Sequence, residues 1–303
     1  MLFSIAFWHA RLYFHLPIRF LVMSIDPKLS RFVFQKLERD LVKLSSKPRA
    51  DNVHGFRTAT RRLQILLGEL SPKLDGSQRK LLKQLGRIRK RAGKVRDLDV
   101  QLIALRTLKI PREPRRKTQL VNHLIELRGR QEKKLRKAVG KETVREIRKR
   151  LKRAARNFKA EASKDPLAAA RGMLAEINRS QAPVNEVLLH QYRILSKRAR
   201  YAAEFADQSA EAQQFIAGVK RVQDALGDWH DWLTLMQTAS TQLGEVRDSP
   251  LVAELHNVTG AKFRRAVAAL SHMRGAGGIT KPMAEAPAPV QTATKQRTSI
   301  SAA

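Results

Sequence analysis

Val53-His54-Gly55-Phe56-Arg57-Thr58-Ala59-Thr60-Arg61-Arg62 and His190-Gln191-Tyr192-Arg193-Ile194-Leu195-Ser196-Lys197-Arg198 follow one pattern: a His, an Arg three positions later, and two basic residues seven and eight positions later. At about 100° per residue a helix holds His54, Arg57 and Arg61 within roughly 60° of one another. Phe56, Ala59, Leu63, Leu66, Leu67 and Leu70 then lie on the opposite side. The second stretch repeats this arrangement, with His190, Arg193 and Lys197 opposite Tyr192, Leu195, Ala199, Ala202 and Ala206. Each helix is thus expected to bury one face in its own bundle and to turn a His/Arg stripe outward.

The repetition continues downstream. Gly93-Lys94-Val95-Arg96-Asp97 matches Gly227-Asp228-Trp229-His230-Asp231 in the same order and at nearly the same offset. Two matched motifs at one offset imply an internal duplication. From about residue 28 to 273 the apolar period is helical, and no stretch alternates as a half-buried strand would. Breaks are expected at Ser45 to Asp51, Ser71 to Ser77, Ile110 to Pro114, Asp165-Pro166, Pro183 and Asp248 to Pro250. The expected fold is all-α: two pseudo-symmetric antiparallel helical bundles, about 26–161 and 162–274, around a basic groove or channel. Residues 1–25 read as an ill-defined N-terminal extension, with Met23 a plausible start, and 275–303 as a disordered low-complexity tail.

The charge is extreme for an ordinary globular composition. Among 303 residues, 60 are Lys or Arg and 27 are Asp or Glu, while 43% are hydrophobic. Such an excess repels itself and calls for an anionic partner: nucleic acid, an anionic membrane face or a polymeric phosphate. With no Cys there is no disulfide framework, thiolate nucleophile or Cys-based zinc site, which fits a reducing compartment. Arg11, His15 and Arg19 interrupt the apolar N-terminus before it reaches the ~18 residues of a spanning helix.

Arg suits phosphate because its planar fork donates two parallel hydrogen bonds and keeps its charge. His adds a donor that protonates more readily beside an anion. Asp51 or Asn52 is the expected N-cap, which would put His54 in the first helical turn, near free backbone N–H groups. Asp97 and Asp231 read as braces for neighbouring Arg side chains. Gly93 and Gly227 read as sites of a helix break or a close approach. At 141–160, Val144, Ile147, Leu151, Ala155 and Phe158 form an apolar stripe, and Arg145, Lys149, Lys152, Arg156 and Lys159 crowd the rest.

Four motifs in order resemble the CHAD domain, a conserved-histidine α-helical domain: the two His-x-x-Arg stretches (the second running on to Arg200-Tyr201), Gly93-x-x-Arg96-Asp97-Leu98-Asp99-Val100, and Leu226-Gly227-Asp228-x-His230-Asp231. The resemblance covers about residues 26 to 273. It implies two helical bundles around a basic channel and binding of inorganic polyphosphate, often at polyphosphate granules in the cytoplasm. Members are often fused to a triphosphate-tunnel domain marked by a Glu-x-Glu-x-Lys strand, which this chain lacks, so that activity does not carry over.

The resulting expectation is a non-enzymatic polyphosphate-binding module without a cofactor or a bound metal. His54, Arg57, Arg61, Arg62, His190, Arg193, Lys197 and Arg198 make the inner contacts. Arg96, Arg200, His230 and, on the helix at 141–160, Lys149, Lys152 and Arg156 extend them. Nucleic acid is the alternative ligand, but aromatics are only 6% and offer no stacking platform. His230-Asp231 resembles the His-Asp pair of metal phosphohydrolases, yet the additional ligands at helical spacing are missing.

Overall fold

The computed structural model describes residues 25–275 apart from 26, 72, 110–113, 160–163, 180–183, 208 and 245–248. The expectations for residues 1–24, including the Met23 start, and for the tail beyond 275 lie outside the described residues. The chain within them runs through helices α1 (Pro27–Ser46), α2 (Ala50–Gly68), α3 (Gly76–Thr107), α4 (Pro114–Ala138), α5 (Lys141–Asn157), α6 (Pro166–Arg179), α7 (Glu186–Ala203), α8 (Ala210–Leu243) and α9 (Pro250–Gly275).

Local chemistry explains most of the boundaries. Pro27, Pro114, Pro166 and Pro250 each occupy the first helical position, where a missing N–H costs nothing. Asp75 starts α3 with a capping box: its side chain accepts from Gln78 N, and the Gln78 side chain accepts from Asp75 N. Asn185 and Ser209 cap α7 and α8 by accepting from Leu188 N and Ala212 N. Gly244, at φ 74, ends α8 in a backbone region that favours glycine, and its N–H donates to Ser240 O. Two further breaks, at Val139–Gly140 and Glu204–Ser209, carry no Pro and were not among those expected from the sequence.

The cap of α2 differs from expectation. The helix already begins at Ala50, after Arg49, which makes no side-chain cap. Asn52 instead donates to Lys47 O at 2.7 Å, tying α2 back to the end of α1. His54 therefore sits in the second turn, beyond the free N–H groups, so helix-end anion binding is not its role.

Helices α1, α2, α3 and α5 pack together, α4 lies along α3, and α6, α7, α8 and α9 follow in sequential contact. The two sets meet where α2 packs on α7 and where α3 and α4 pack on α8. One apolar core joins Leu37, Leu41, Phe56, Leu63 and Leu85 with Ala199, Phe205 and Phe215, so it crosses between the halves. A second joins Leu105 and Leu124 with Leu235 and Leu255. The third, with Tyr192, Trp229 and Leu270, belongs to the second half alone. The faces of α2 and α7 fall as expected: Phe56, Ala59, Leu63, Leu66, Leu67 and Leu70 are buried, as are Tyr192, Ala199, Ala202 and Ala206. On α5 the burial shifts by one residue, to Ile147, Leu151 and Ala154, with Ala155 exposed. Lys159 lies beyond the end of that helix.

The halves differ sharply in charge. Residues 27–159 carry 41 Lys and Arg against 12 Asp and Glu, whereas residues 164–275 carry 14 against 12.

Candidate polyanion-binding cluster

Where α2 meets α7 and α3 meets α8, the outward stripes of both halves turn toward one another. Arg57 is the best-seated member. Its Nη1 lies over Gly93, so close that a Cβ there would stand 2.6 Å away, and 3.8 Å from Asp97 Oδ1. Gly93 thus serves the close approach; it does not break α3, which runs on to Thr107. Gly227 lies within α8 in the same way, but nothing stands within 4 Å of its Cβ position. Arg57 also feels the positive charges of Arg61, Arg89 and Arg193, the last from the other half.

Burial and like charge work together here. Burial, opposed only by Asp97 and reinforced by those neighbouring cations, brings Arg57 down to about 10. Burial first, then Arg193 and Arg61, bring Lys197 down to about 7. Burial also lowers Arg193, against the pull of Asp231 and Asp97, and lowers Arg89, with Arg61 adding to the effect. His230 falls to about 4 through burial, Arg193, His190 and Lys197. Its ring centroid is 5.5 Å from that of His190. His54 is lowered by burial, then by Arg96, Arg57 and Arg61. Asp231 is raised by burial, even beside Arg193 and Lys197.

The result is a set of cations with too few anions. Asp97 and Asp231 are the carboxylates that act on Arg57, Arg193 and Lys197, while Arg61, Arg89 and Arg96 add further positive charge to the same surroundings. Arg57–Asp97 is the only ion pair that any of the six makes among the described residues. Arg89 Nε, Arg193 Nε and His230 Nδ1 are buried without a hydrogen-bond partner among the described protein groups. Buried polar atoms normally find partners, so these three are left with unused hydrogen-bonding capacity at the junction of the halves.

Several residues expected in the cluster serve other ends. Arg62 Nε donates to Glu204 Oε2 at 2.7 Å, and Arg198 Nη2 donates to Glu69 Oε1 at 2.5 Å. Glu69 and Glu204 are the residues that follow α2 and α7, so the tail of each His-x-x-Arg motif is fastened to the end of the other motif's helix. Arg200 donates to Gln223 and Glu204, and its guanidinium stacks 4.6 Å from the Tyr201 ring centroid. Arg62 and Arg198 therefore hold the α2–α7 junction together, while Arg200 braces Glu204 and ties α7 to α8. Asp99, the last acid of Arg96-Asp97-Leu98-Asp99, turns away from the cluster and accepts from Arg128 Nε at 2.7 Å, locking α3 to α4. Lys149, Lys152 and Arg156 lie on the outer face of α5, a helix packed on α1 and α3, and are not brought into the cluster.

Arg89 was not expected from the sequence. It precedes Gly93 by four residues and Arg96 by seven, the spacing of one helical face, and that was the available signal.

Among the described residues no group of three or more His, Asp or Glu is arranged to hold a metal ion, and no helix is long and apolar enough to cross a membrane. A family model described as CHAD domain matches residues 33–240. The fold is similar to the crystal structure of the CHAD domain from the plant Ricinus communis, at 17% identity and a TM-score of 0.61, covering 87% of this chain and 93% of that one. It is also similar to PptA from Streptomyces chartreusis, at 16% identity and a TM-score of 0.58, covering 82% of this chain and 96% of that one. No curated protein sequence matches the chain.

Proposed function

The chain belongs to the CHAD domain family, and from that premise we propose that it binds inorganic polyphosphate, without catalysis, in the cluster between α2, α3, α7 and α8. The observation that carries this reading is the convergence of six Lys and Arg side chains from two halves of the chain, with Asp97 and Asp231 the acids set among them. Free of ligand, such a cluster is held together against its own repulsion. A linear phosphate polymer relieves that repulsion along its length, because every unit brings a negative charge and acceptor oxygens.

The parts have distinct tasks. Arg57 and Arg193, seated toward Asp97 and Asp231, present guanidinium forks whose geometry suits phosphate oxygens. Arg61, Arg89, Arg96 and Lys197 supply further charge on either side. His54, His190 and His230 act as hydrogen-bond donors, and His54 and His230, held low by burial and neighbouring cations, gain a proton as phosphate approaches. The two ion pairs Arg62–Glu204 and Arg198–Glu69 keep the stripes in register without contacting ligand. The polymer needs no base-stacking surface, and the aromatic side chains near the cluster are already in use: Trp229 is buried and Tyr201 lies under Arg200. We further propose that the protein acts in the cytoplasm, at polyphosphate granules.

Competition tests the ligand. Long-chain polyphosphate is bound to the purified protein and challenged with duplex DNA or RNA at equal phosphate concentration. The reading predicts that the inorganic polymer stays bound; displacement by either nucleic acid rejects it.

A further inference from the structure

The excess charge of the first half extends beyond the cluster, and helical geometry places it along one path. Taking Arg89 on α3 as the reference, Gly93 and Arg96 lie within about 40° of it. Lys83, Arg87, Lys90 and Lys94 follow at roughly 100–160°, all exposed. At roughly 220° comes Gln84, which donates to Glu146 of α5 at 3.1 Å. The path then continues over α5. Its edge toward α1 is fixed by Arg148, which donates to Glu38 at 2.8 Å, and its edge toward α3 by Glu146. Between those edges, at roughly 40–140° from Arg148, stand Lys152, Arg156, Lys149 and Arg153, all exposed. None of these eight Lys and Arg residues makes an ion pair with another described residue.

The corresponding face of the second half is built differently. At the offset of the Gly93 and Gly227 motifs, Lys90 corresponds to Asp224 and Lys94 to Asp228, and these acids pair with Lys220 and Lys262 at 2.6 and 2.7 Å. With α2 matched to α7 and α3 to α8, the flanking helices α1 and α4 match α6 and α9, which leaves α5 without a counterpart among the described residues. The α5 face also carries the exposed pair Arg145–Glu142, but its Lys149, Lys152, Arg153 and Arg156 and the α3 residues Lys90 and Lys94 have no such acid among the described residues, so the first half keeps an excess of uncompensated cations.

We propose that the outer faces of α3 and α5 form a basic track, continuous with the cluster, along which the same polyphosphate chain runs on, so that the protein favours long chains over short ones. This rests on the polyphosphate reading of the cluster. Six cations suffice to hold a short oligomer between the halves. A longer chain leaves the cluster past Lys94 and Lys90, runs back along α3 past Arg87 and Lys83, and crosses beside Gln84 and Glu146 to Lys149 and Lys152 of the antiparallel α5. Each further neutralised phosphate steepens the salt dependence by roughly 0.7, the single-strand value.

The test compares an oligophosphate of about six units, enough to meet the six cations of the cluster, with long-chain polyphosphate. Each is titrated into wild type and into Lys90→Ala/Lys94→Ala/Lys149→Ala/Lys152→Ala. The substitutions are exposed and helix-favouring, and circular dichroism checks the fold. Oligomer affinity is expected to stay within twofold, while long-chain affinity falls at least tenfold and its log–log salt slope shallows by about 3. A second variant, Lys90→Asp/Lys94→Asp, installs the residues of α8 and is expected to reduce the long-chain preference on its own. An unchanged ratio of long-chain to oligomer affinity in both variants overturns the track and leaves the cluster reading intact. A wild type that binds neither polymer overturns both. Loss of duplex DNA binding with long-chain binding unaltered reassigns the face to nucleic acid and overturns the proposal.

Discussion

Arg57 and Arg193 occupy matching positions in the two His-x-x-Arg stretches, yet they are held differently. Arg57 lies in van der Waals contact with the bare backbone of Gly93 and reaches Asp97. Among the described residues, Arg193 of α7 feels Asp231 of α8 without pairing to it, the space over Gly227 is open, and the Arg193 Nε has no partner. The same contrast holds outside the cluster, where Lys90 and Lys94 stand free and Asp224 and Asp228 are paired. Repeating a motif thus reproduces the direction of a side chain but not its seat. The first half is the more closely packed and more basic wall of the cluster, and the second is the more open one.

The sharpest break of this contrast is a pair of glycine substitutions. Gly93→Ala puts a methyl group where Arg57 Nη1 now lies, 2.6 Å from its Cβ position, so the guanidinium must move away. The end of that side chain is flexible, so the fold survives, and the helical Gly→Ala gain of up to ~1 kcal/mol offsets part of the disturbance. Polyphosphate affinity is expected to fall at least tenfold by titration. Gly227→Ala meets nothing within 4 Å. It is expected to raise stability by up to ~1 kcal/mol in denaturant unfolding and to leave affinity within twofold. Equal losses from both substitutions would erase the distinction between the walls.

The second-half wall also carries the titrating group. Lys197 stands at about 7 in the free protein through burial, Arg193 and Arg61. Its folded value lies below the ordinary one of about 10.4, so the unfolded chain binds the extra proton between these limits. Stability of the ligand-free protein is therefore expected to rise with pH from about 7 toward 10. Ligand acts in the opposite sense: phosphate favours charged Lys197, so binding takes up a proton and weakens as pH climbs through the same window, by at most tenfold per unit for one proton. His230, at about 4, adds proton uptake at lower pH if phosphate reaches it. Calorimetry in buffers of differing ionisation enthalpy measures the uptake, and Lys197→Arg is expected to remove the alkaline part of it. A pH-independent affinity across the window contradicts this assignment.

The smallest effect is expected at the junction. Arg198 is partly exposed and its pair with Glu69 is solvent-screened, so Arg198→Ala should cost at most about 1 kcal/mol of stability. Its effect on polyphosphate affinity should stay within about threefold, as measured by the same titration. A larger loss would return Arg198 to the binding surface.

The periodic features were the ones legible in the sequence. The buried faces of α2 and α7 and the His/Arg stripes opposite them follow from one helical repeat read over short distances. What escaped was set by contacts between helices. Arg62 and Arg198 look like ligand contacts because their partners, Glu204 and Glu69, lie 142 and 129 residues away. Periodicity gives the helix of Lys149, Lys152 and Arg156 its basic face but not its neighbours: α5 packs on α1 and α3, away from α7, so these residues lie outside the cluster, along the proposed track. Asp51 and Asn52 look like caps because side chains of that type often are, and the chain instead enters α2 two to three residues earlier, at Arg49, with Asn52 bound to Lys47 O.

The salt dependence of binding a six-unit oligophosphate to wild type and to His54→Ala/Arg57→Ala/His190→Ala/Arg193→Ala tests the central claim most directly. The account predicts a log–log slope of about −4 for wild type, from six phosphates at roughly 0.7 each. In the variant it predicts a slope shallower by about 1.4 and an affinity at least a hundredfold lower, since two charge-assisted contacts are lost at about 1.5–3 kcal/mol each. A variant that keeps wild-type affinity and slope would place the polymer elsewhere on the protein and contradict the account.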